Sequence, residues 1–273
     1  MELGNACEGL RPNVIDELRA IVSLHEDATG LIVKLANLAG EKAEKLMATL
    51  PEGWRDRLGD LAEVALRQAY DTAFATQADA DTATILSRVL AWADGERWHK
   101  VATGMVGALG GFGGFVTTLA DLPVTTTLIL RSVQQIAASY GEDASSPDVR
   151  AQCLAVFAMG GPLQADDEVD AGLWAVRTAL NGKAAAEVLT VVLPRFGVIV
   201  SEKALAQATP ILGALGGAIV NPIFTSFYQT MAHVHFRLRK LERDGDPDQL
   251  RACFSRLALV HRNASKTRRK PQS

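Results

Sequence analysis

The sequence predicts an all-α protein: a multi-helix globular bundle with two glycine-rich apolar helical segments, read as hairpins, at its centre. Three observations predict it. Apolar residues recur at three- and four-residue intervals along most of the chain. Proline and glycine stand where helices begin and end. No run alternates apolar and polar residues with period two, and β-branched residues cluster only from Val188 to Val200.

Taken in order, Pro12 opens a run through Val14, Leu18, Ile21, Val22, Leu31, Ile32, Leu35 and Leu38 that fits one helical face, and Pro51-Glu52-Gly53 breaks it. A second run carries Leu58, Leu61, Ala65, Leu66 and Ala69, and a third Ile85, Leu86, Val89, Leu90, Trp92 and Ala93. Gly141 after Tyr140 reads as a C-cap, and Asn181-Gly182 ends or interrupts a helix. Ser146-Pro147-Asp148 reads as N-cap, first helical residue and an acid matched to the helix dipole, and Asp246-Pro247-Asp248 repeats that device.

Two stretches differ from the rest. Val101 to Ala120 contains no charge, and Ala204 to Val234 contains no acid, lysine or arginine. Both contain the pentapeptide Gly-Ala-Leu-Gly-Gly, at Gly107–Gly111 and Gly213–Gly217. Gly107 with Gly111, and Gly213 with Gly217, are four apart, so on a helix they clear one face for close packing. A helix interior glycine costs about 1 kcal/mol relative to alanine, so the run from Gly104 to Gly114 needs compensation from close packing or a broken helix. Val101 to Ala120 is long enough for a membrane span. Its glycines contribute little hydrophobicity, however, and Asp121 and Asn221-Pro222 sit inside the extended apolar runs. The expectation is therefore a buried hairpin pair or a shallow membrane-inserting element.

The chain carries 28 Lys+Arg against 31 Asp+Glu, a net charge of -3. The balance is uneven: Arg237 to Ser273 holds 11 basic and 4 acidic residues, a basic end suited to phosphate groups of lipid. Lys266 to Ser273 reads as a solvated, partly disordered tail. Cys7, Cys153 and Cys253 lie far apart and are read as separate thiols in a reducing compartment. The first residues have neither a basic nor an apolar leader region, so no secretory signal is expected. The expected location is cytoplasmic, peripheral to the inner face of the membrane.

No catalytic signature stands out: there is no Gly-x-Ser-x-Gly elbow, no His-Glu-x-x-His and no phosphate-loop lysine. Gly110 to Gly114 lacks dinucleotide spacing. His233 and His235 would point about 200° apart on a helix, and His25-Glu26-Asp27 reads as surface, so neither a metal nor a cofactor is expected. Asp121, before Pro123, is placed to cap a helix from Val124 to Tyr140. In a functional reading, Asp121, Thr125 and Thr126 line a polar spot in an apolar cavity, and Arg131 pairs with an acid or holds a lipid phosphate. Asn221-Pro222 kinks or starts a helix, and a pocket between kinked helices is a ligand site. Downstream, Phe224, Phe227, Tyr228 and Met231 give way to Arg237, Arg239, Lys240 and Arg243. That order suits either a membrane interface, with Arg237, Arg239 and Lys240 on lipid phosphates, or a core helix with a charged tip. The basic set lacks interleaved exposed aromatics and a reader motif, which speaks against nucleic acid.

The order of these features carries a resemblance. A Gly-rich apolar segment is followed by Ala120-Asp121-Leu122-Pro123, Leu128-Ile129-Leu130-Arg131, Ile136-Ala137 and Tyr140-Gly141. Further on come Thr209-Pro210-Ile211-Leu212-Gly213-Ala214, Asn221 and a helix ending in Arg237 and Arg239. This order resembles the EcsC protein family over Val101 to Leu241. The resemblance implies a helical bacterial protein, in a family named for a protein encoded beside ABC-transporter components, and it supplies no catalytic residue. On this reading residues 1–100 form an N-terminal helical region, 101–245 the EcsC-like core, and 246–273 a C-terminal helix and basic tail, within one continuous domain. The expected function is non-enzymatic: peripheral membrane association or lipid binding, accessory to transport or secretion. Two other readings stay open, a hydrolase of lipidic substrates near Asp121 and Asn221, and a protein-interaction module.

Overall fold

The computed structural model describes residues 4–28, 63–73, 115–159, 168–180, 182–193 and 216–269, with single positions 30, 60 and 196. Among them there is no strand. Helical residues 12–28 (α1) and 63–73 (α2) precede α3 (Phe115–Ser139), α4 (Pro147–Ala155) and α5 (Glu168–Leu180). Residues 185–193 (α6), α7 (Gly216–Asp244) and α8 (Pro247–Arg269) follow. Single 3₁₀ turns occupy Gly4–Cys7 and Val156–Ala158.

Helices α3 and α7 form the spine and pack along each other. Their cross-links advance together along both helices: Ser132 meets Gln229 at 2.7 Å, Tyr140 meets His233 at 2.8 Å, and Glu142 meets Arg239 at 3.0 Å. The pair is therefore parallel. Tyr228 and Phe157 seal the interface, their rings 4.7 Å apart, and Phe157 meets Phe196 edge-on at 5.3 Å. The buried cluster runs from Cys7 to Ala258, so residues near both ends of the described chain share one core.

The caps follow the sequence closely. Gly141 adopts φ 79°, Glu142 N–H donates to the Ala137 carbonyl at 3.2 Å and Gly141 N–H to Ala138 at 3.0 Å. This is a Schellman closure of α3, and its left-handed residue favours glycine. Gly182, at φ 71°, ends α5 in the same conformation. Asp246 caps α8 by accepting from the Asp248 N–H at 2.9 Å. Ser146 holds the N-cap position of α4, but its side chain makes no capping bond.

Several expectations are corrected. Asp121 does not start a helix: α3 begins at Phe115 and carries Pro123 inside it. Of the two readings of Asn221-Pro222, a kink or a start, the start is excluded, because Pro222 lies inside α7. A mid-helix proline loses one backbone bond and bends the helix; just beyond it the Thr127 hydroxyl donates back to the Pro123 carbonyl at 2.7 Å. The basic tail is helical through Arg269. His25 is not on the surface: it is 1% exposed and lies edge-on to Phe254. Phe224, Phe227 and Tyr228 are buried, so these rings belong to the core and not to a membrane interface. Finally, Cys7 and Cys253 are not separate thiols but a disulfide, which ties the first 3₁₀ turn to α8. Cys153 is free and fully buried, and burial pushes its thiol pKa far up, so it stays protonated. Among the described residues, no helix is long and apolar enough to cross a membrane.

Candidate functional site

Two polar regions lie along the α3–α7 spine. The first is a seam buried toward its middle. Thr125, Thr126, Thr127, Ser132 and Gln134 on α3, with Thr225 and Gln229 on α7, are each at most 2% exposed. A buried polar group needs a partner, so such residues specify one pairing of the helices; the Gln229 amide donates to the Ser132 hydroxyl across the interface. Thr125 and Thr126 are thus part of this buried seam. Arg131 is half-buried, one turn further along. Asp121 and Asn221 lie on the helical backbone of α3 and α7, but their side chains fall outside the described residues. Gly107, Gly111 and Gly213 fall outside them too, and Gly217 is in the first turn of α7.

The second region is a cleft of about 530 Å³ at the opposite, C-terminal end of the spine, where α5, α7 and α8 converge. Its floor is a charged network built around Arg177, which is 9% exposed. Arg177 donates to His235 Nδ1 at 2.5 Å, to the His235 carbonyl at 3.0 Å and to Glu242 at 2.5 Å. A guanidinium only donates, so His235 Nδ1 is the acceptor and the imidazole proton sits on Nε2, which donates to Gln152 Oε1 at 3.0 Å. Burial, and then the positive charges of Arg177 and Arg239, hold the His235 pKa well below the usual histidine range. The ring is thus a neutral link between Gln152 and Arg177.

Around the rim, Glu142 accepts from Arg239 at 3.0 Å and from Arg243 at 2.8 Å, and Arg239 also pairs with Asp148. Trp174, one turn before Arg177 on α5, lies 5.4 Å from the Arg177 guanidinium and 6.0 Å from that of Arg251 on α8.

The structure separates the three cations expected on lipid phosphate. Arg237 donates to Glu17 of α1 at 2.7 Å, and this bond lowers the Glu17 pKa and raises that of Arg237. Arg239 holds Glu142 and Asp148, and Lys240 is exposed. The first two therefore bind helices of this chain together. Sequence reading missed Arg177, Gln152, Trp174 and Arg251 as members of a site. Their one local signal is the three-residue spacing of Trp174 and Arg177, which places both on one face of α5.

The His235 environment has a measurable consequence. Because the folded-state pKa is depressed, the unfolded chain takes up the proton first as pH falls. Stability is complete above pH about 6.5 and declines below it, with a slope from this residue of at most about 1.4 kcal/mol per pH unit. Urea unfolding between pH 7 and 5 should show this decline, and His235→Gln should flatten it. An identical slope in both proteins would contradict the assignment.

Among the described residues, no group of three or more His, Cys, Asp or Glu could hold a metal ion. In comparisons with known proteins, the EcsC protein family matches residues 17–241, so the likeness begins far upstream of Val101. No curated protein and no solved structure matches the chain.

Proposed function

From the premise that this chain belongs to the EcsC protein family, we propose that it is a non-enzymatic helical protein that associates peripherally with the cytoplasmic membrane by binding lipid. The observation that carries this reading is the polarity of the parallel spine. Because α3 and α7 run in the same direction, their N-termini at Phe115 and Gly216 lie at the same end of the spine. The charge-free glycine-rich stretches lead directly into those two ends. From Gly216 to Phe236, α7 carries no lysine, arginine or acid over roughly 30 Å of helix, and its charges begin at Arg237. One end of the spine is thus supplied with uncharged, small-residue sequence, and the other end holds the ion-pair network.

The inner face of the membrane is the proposed location. The Cys7–Cys253 bridge is compatible with it because both sulfurs are buried, Cys7 at 5% and Cys253 at 0% exposure, and exchange requires a thiolate to reach one of them. A transport or secretion system is the partner class that the family resemblance implies.

Vesicle flotation tests the proposal. The protein should co-float with phosphatidylcholine vesicles containing 30% phosphatidylglycerol, a composition chosen at about the anionic content that attracts basic surfaces. Phe112→Asp, which puts a charge into the first apolar stretch, should abolish co-flotation. Lys240→Glu should weaken it; Arg237 and Arg239 are unsuitable for this control because reversing them would break contacts with Glu17, Glu142 and Asp148. Absence of co-flotation by the unaltered protein would end the membrane reading.

A further inference from the structure

We propose that α8 is the element that docks this protein on an anionic lipid surface, its acid-free basic half meeting headgroup phosphates. This rests on the membrane reading above and places the charge-recognising contact on a different element from the glycine-rich stretches. The first support is composition. Residues 249–273 carry seven Lys+Arg and no Asp or Glu, whereas the preceding 248 residues carry 21 against 31. The helix dipole favours cations in a last turn, but it does not account for 25 successive positions without an acid. A chain that is acidic elsewhere thus concentrates positive charge on one element, the pattern that draws a polyanionic surface.

The second support is how α8 sits. Leu250, Cys253, Phe254, Leu257 and Ala258 are buried, a stripe at three- and four-residue spacing that faces the core. Arg262 ties the helix to α1, 3.6 Å from Glu26. Ala264 stands seven residues after Leu257 and so continues the buried stripe, yet it is exposed, as are Asn263 and Ser265 on either side. At this point α8 has left the body of the molecule, and its backbone stays helical to Arg269. Lys266, Arg268 and Arg269 belong to these last turns, and Lys270 follows. A short helix without tertiary packing is marginal in water. Arg262 and Lys266, four apart, add a like-charge pair that opposes it. A negatively charged surface relieves that repulsion.

Leu259 favours lipid as the polyanion. It is 44% exposed, three residues after Arg256 and three before Arg262. An apolar side chain among cations suits the headgroup boundary, where the cations meet phosphate and the leucine enters the apolar layer. A nucleic-acid backbone offers a leucine nothing to enter, and Phe254 of α8 is buried and cannot stack on a base.

Co-flotation with phosphatidylcholine vesicles, with and without about 30% phosphatidylglycerol, tests the assignment. The unaltered chain should prefer the anionic vesicles and lose that preference between about 0.05 M and about 0.5 M sodium chloride. Each cation at such a surface contributes roughly fivefold in partitioning. Lys266→Gln, Arg268→Gln, Arg269→Gln and Lys270→Gln combined should therefore lower anionic binding by roughly a hundredfold or more. Glutamine keeps helix propensity, and an unchanged thermal midpoint shows the fold intact. Leu259→Gln, at an exposed position, should weaken vesicle binding several-fold. Anionic binding that both variants leave unchanged, or equal binding of the unaltered chain to neutral and anionic vesicles, overturns the role of α8; loss of that binding in Phe112→Asp would still leave the membrane reading standing. No binding to either vesicle ends both. Retention on a double-stranded oligonucleotide that the glutamine variant loses, without vesicle binding by the unaltered chain, makes the partner a nucleic acid and also overturns the assignment.

Discussion

Replacing Cys7 and Cys253 together by alanine should lower the thermal midpoint by roughly 10 °C. The bridge joins residues 246 apart in sequence, so it removes more loop entropy from the unfolded chain than most disulfides. The chain-entropy relation gives about 5 kcal/mol for a loop of this length, near the top of what such bonds deliver. The folded state loses little, since both positions are enclosed by the core and alanine fits a cysteine site. Reductant should leave the native protein unaffected at low temperature and should act only once the chain opens, because the sulfurs are covered. Calorimetry of the wild type refolded with and without reductant, beside the double variant, is the check. Equal midpoints for all three would mean that the bridge contributes nothing to stability.

The second large effect is expected at Arg177. Arg177→Met preserves the apolar stem but leaves Glu242 and the His235 carbonyl without their donor. Breaking a buried pair on one side costs about 3–5 kcal/mol. The Glu242 side chain retains 23% exposure, so the lower end of that range applies. Adding Glu242→Gln should recover part of the loss, because the uncompensated charge disappears with it. A double-mutant cycle by urea unfolding measures the coupling. A single-variant loss below about 1 kcal/mol, with no coupling, would show that solvent already screens the pair.

Local features of the fold were legible in the sequence, and distant ones were not. Gly141, Gly182, Pro147 and Asp246-Pro247 marked helix ends correctly because capping depends on residues within one turn of each other. Asp121-x-Pro123 misled for a related reason. Local rules make a proline a helix start, whereas α3 already begins at Phe115, upstream of Pro123. Asn221-Pro222 is open in the sequence to both a kink and a start, and Pro222 lies inside α7. The aromatic run of α7 fitted core and interface equally, and only the position of Phe157 and α3 decides between them. The ion pairs of Arg177, Arg237 and Arg239 lie 65, 220 and 97 residues from Glu242, Glu17 and Glu142, distances at which sequence spacing carries no information. The cysteine pair fails for the same reason: it depends on α8 returning to the first 3₁₀ turn. The polar seam was partly visible through Thr125 and Thr126, which are unusual within so apolar a run.

The closure of the first turn against the last helix also bears on biosynthesis. Cys7, Glu8, His25 and Glu26 find their partners at Cys253, Gln249, Phe254 and Arg262. None of those contacts can form until the ribosome has translated almost the whole chain. At ordinary elongation speeds of 5–20 residues per second, the emerging N-terminal segment waits roughly 12–50 s with its apolar face uncovered. The nascent chain is thus a natural client for holding chaperones, and truncation anywhere before Cys253 should yield an aggregating product rather than a smaller folded one.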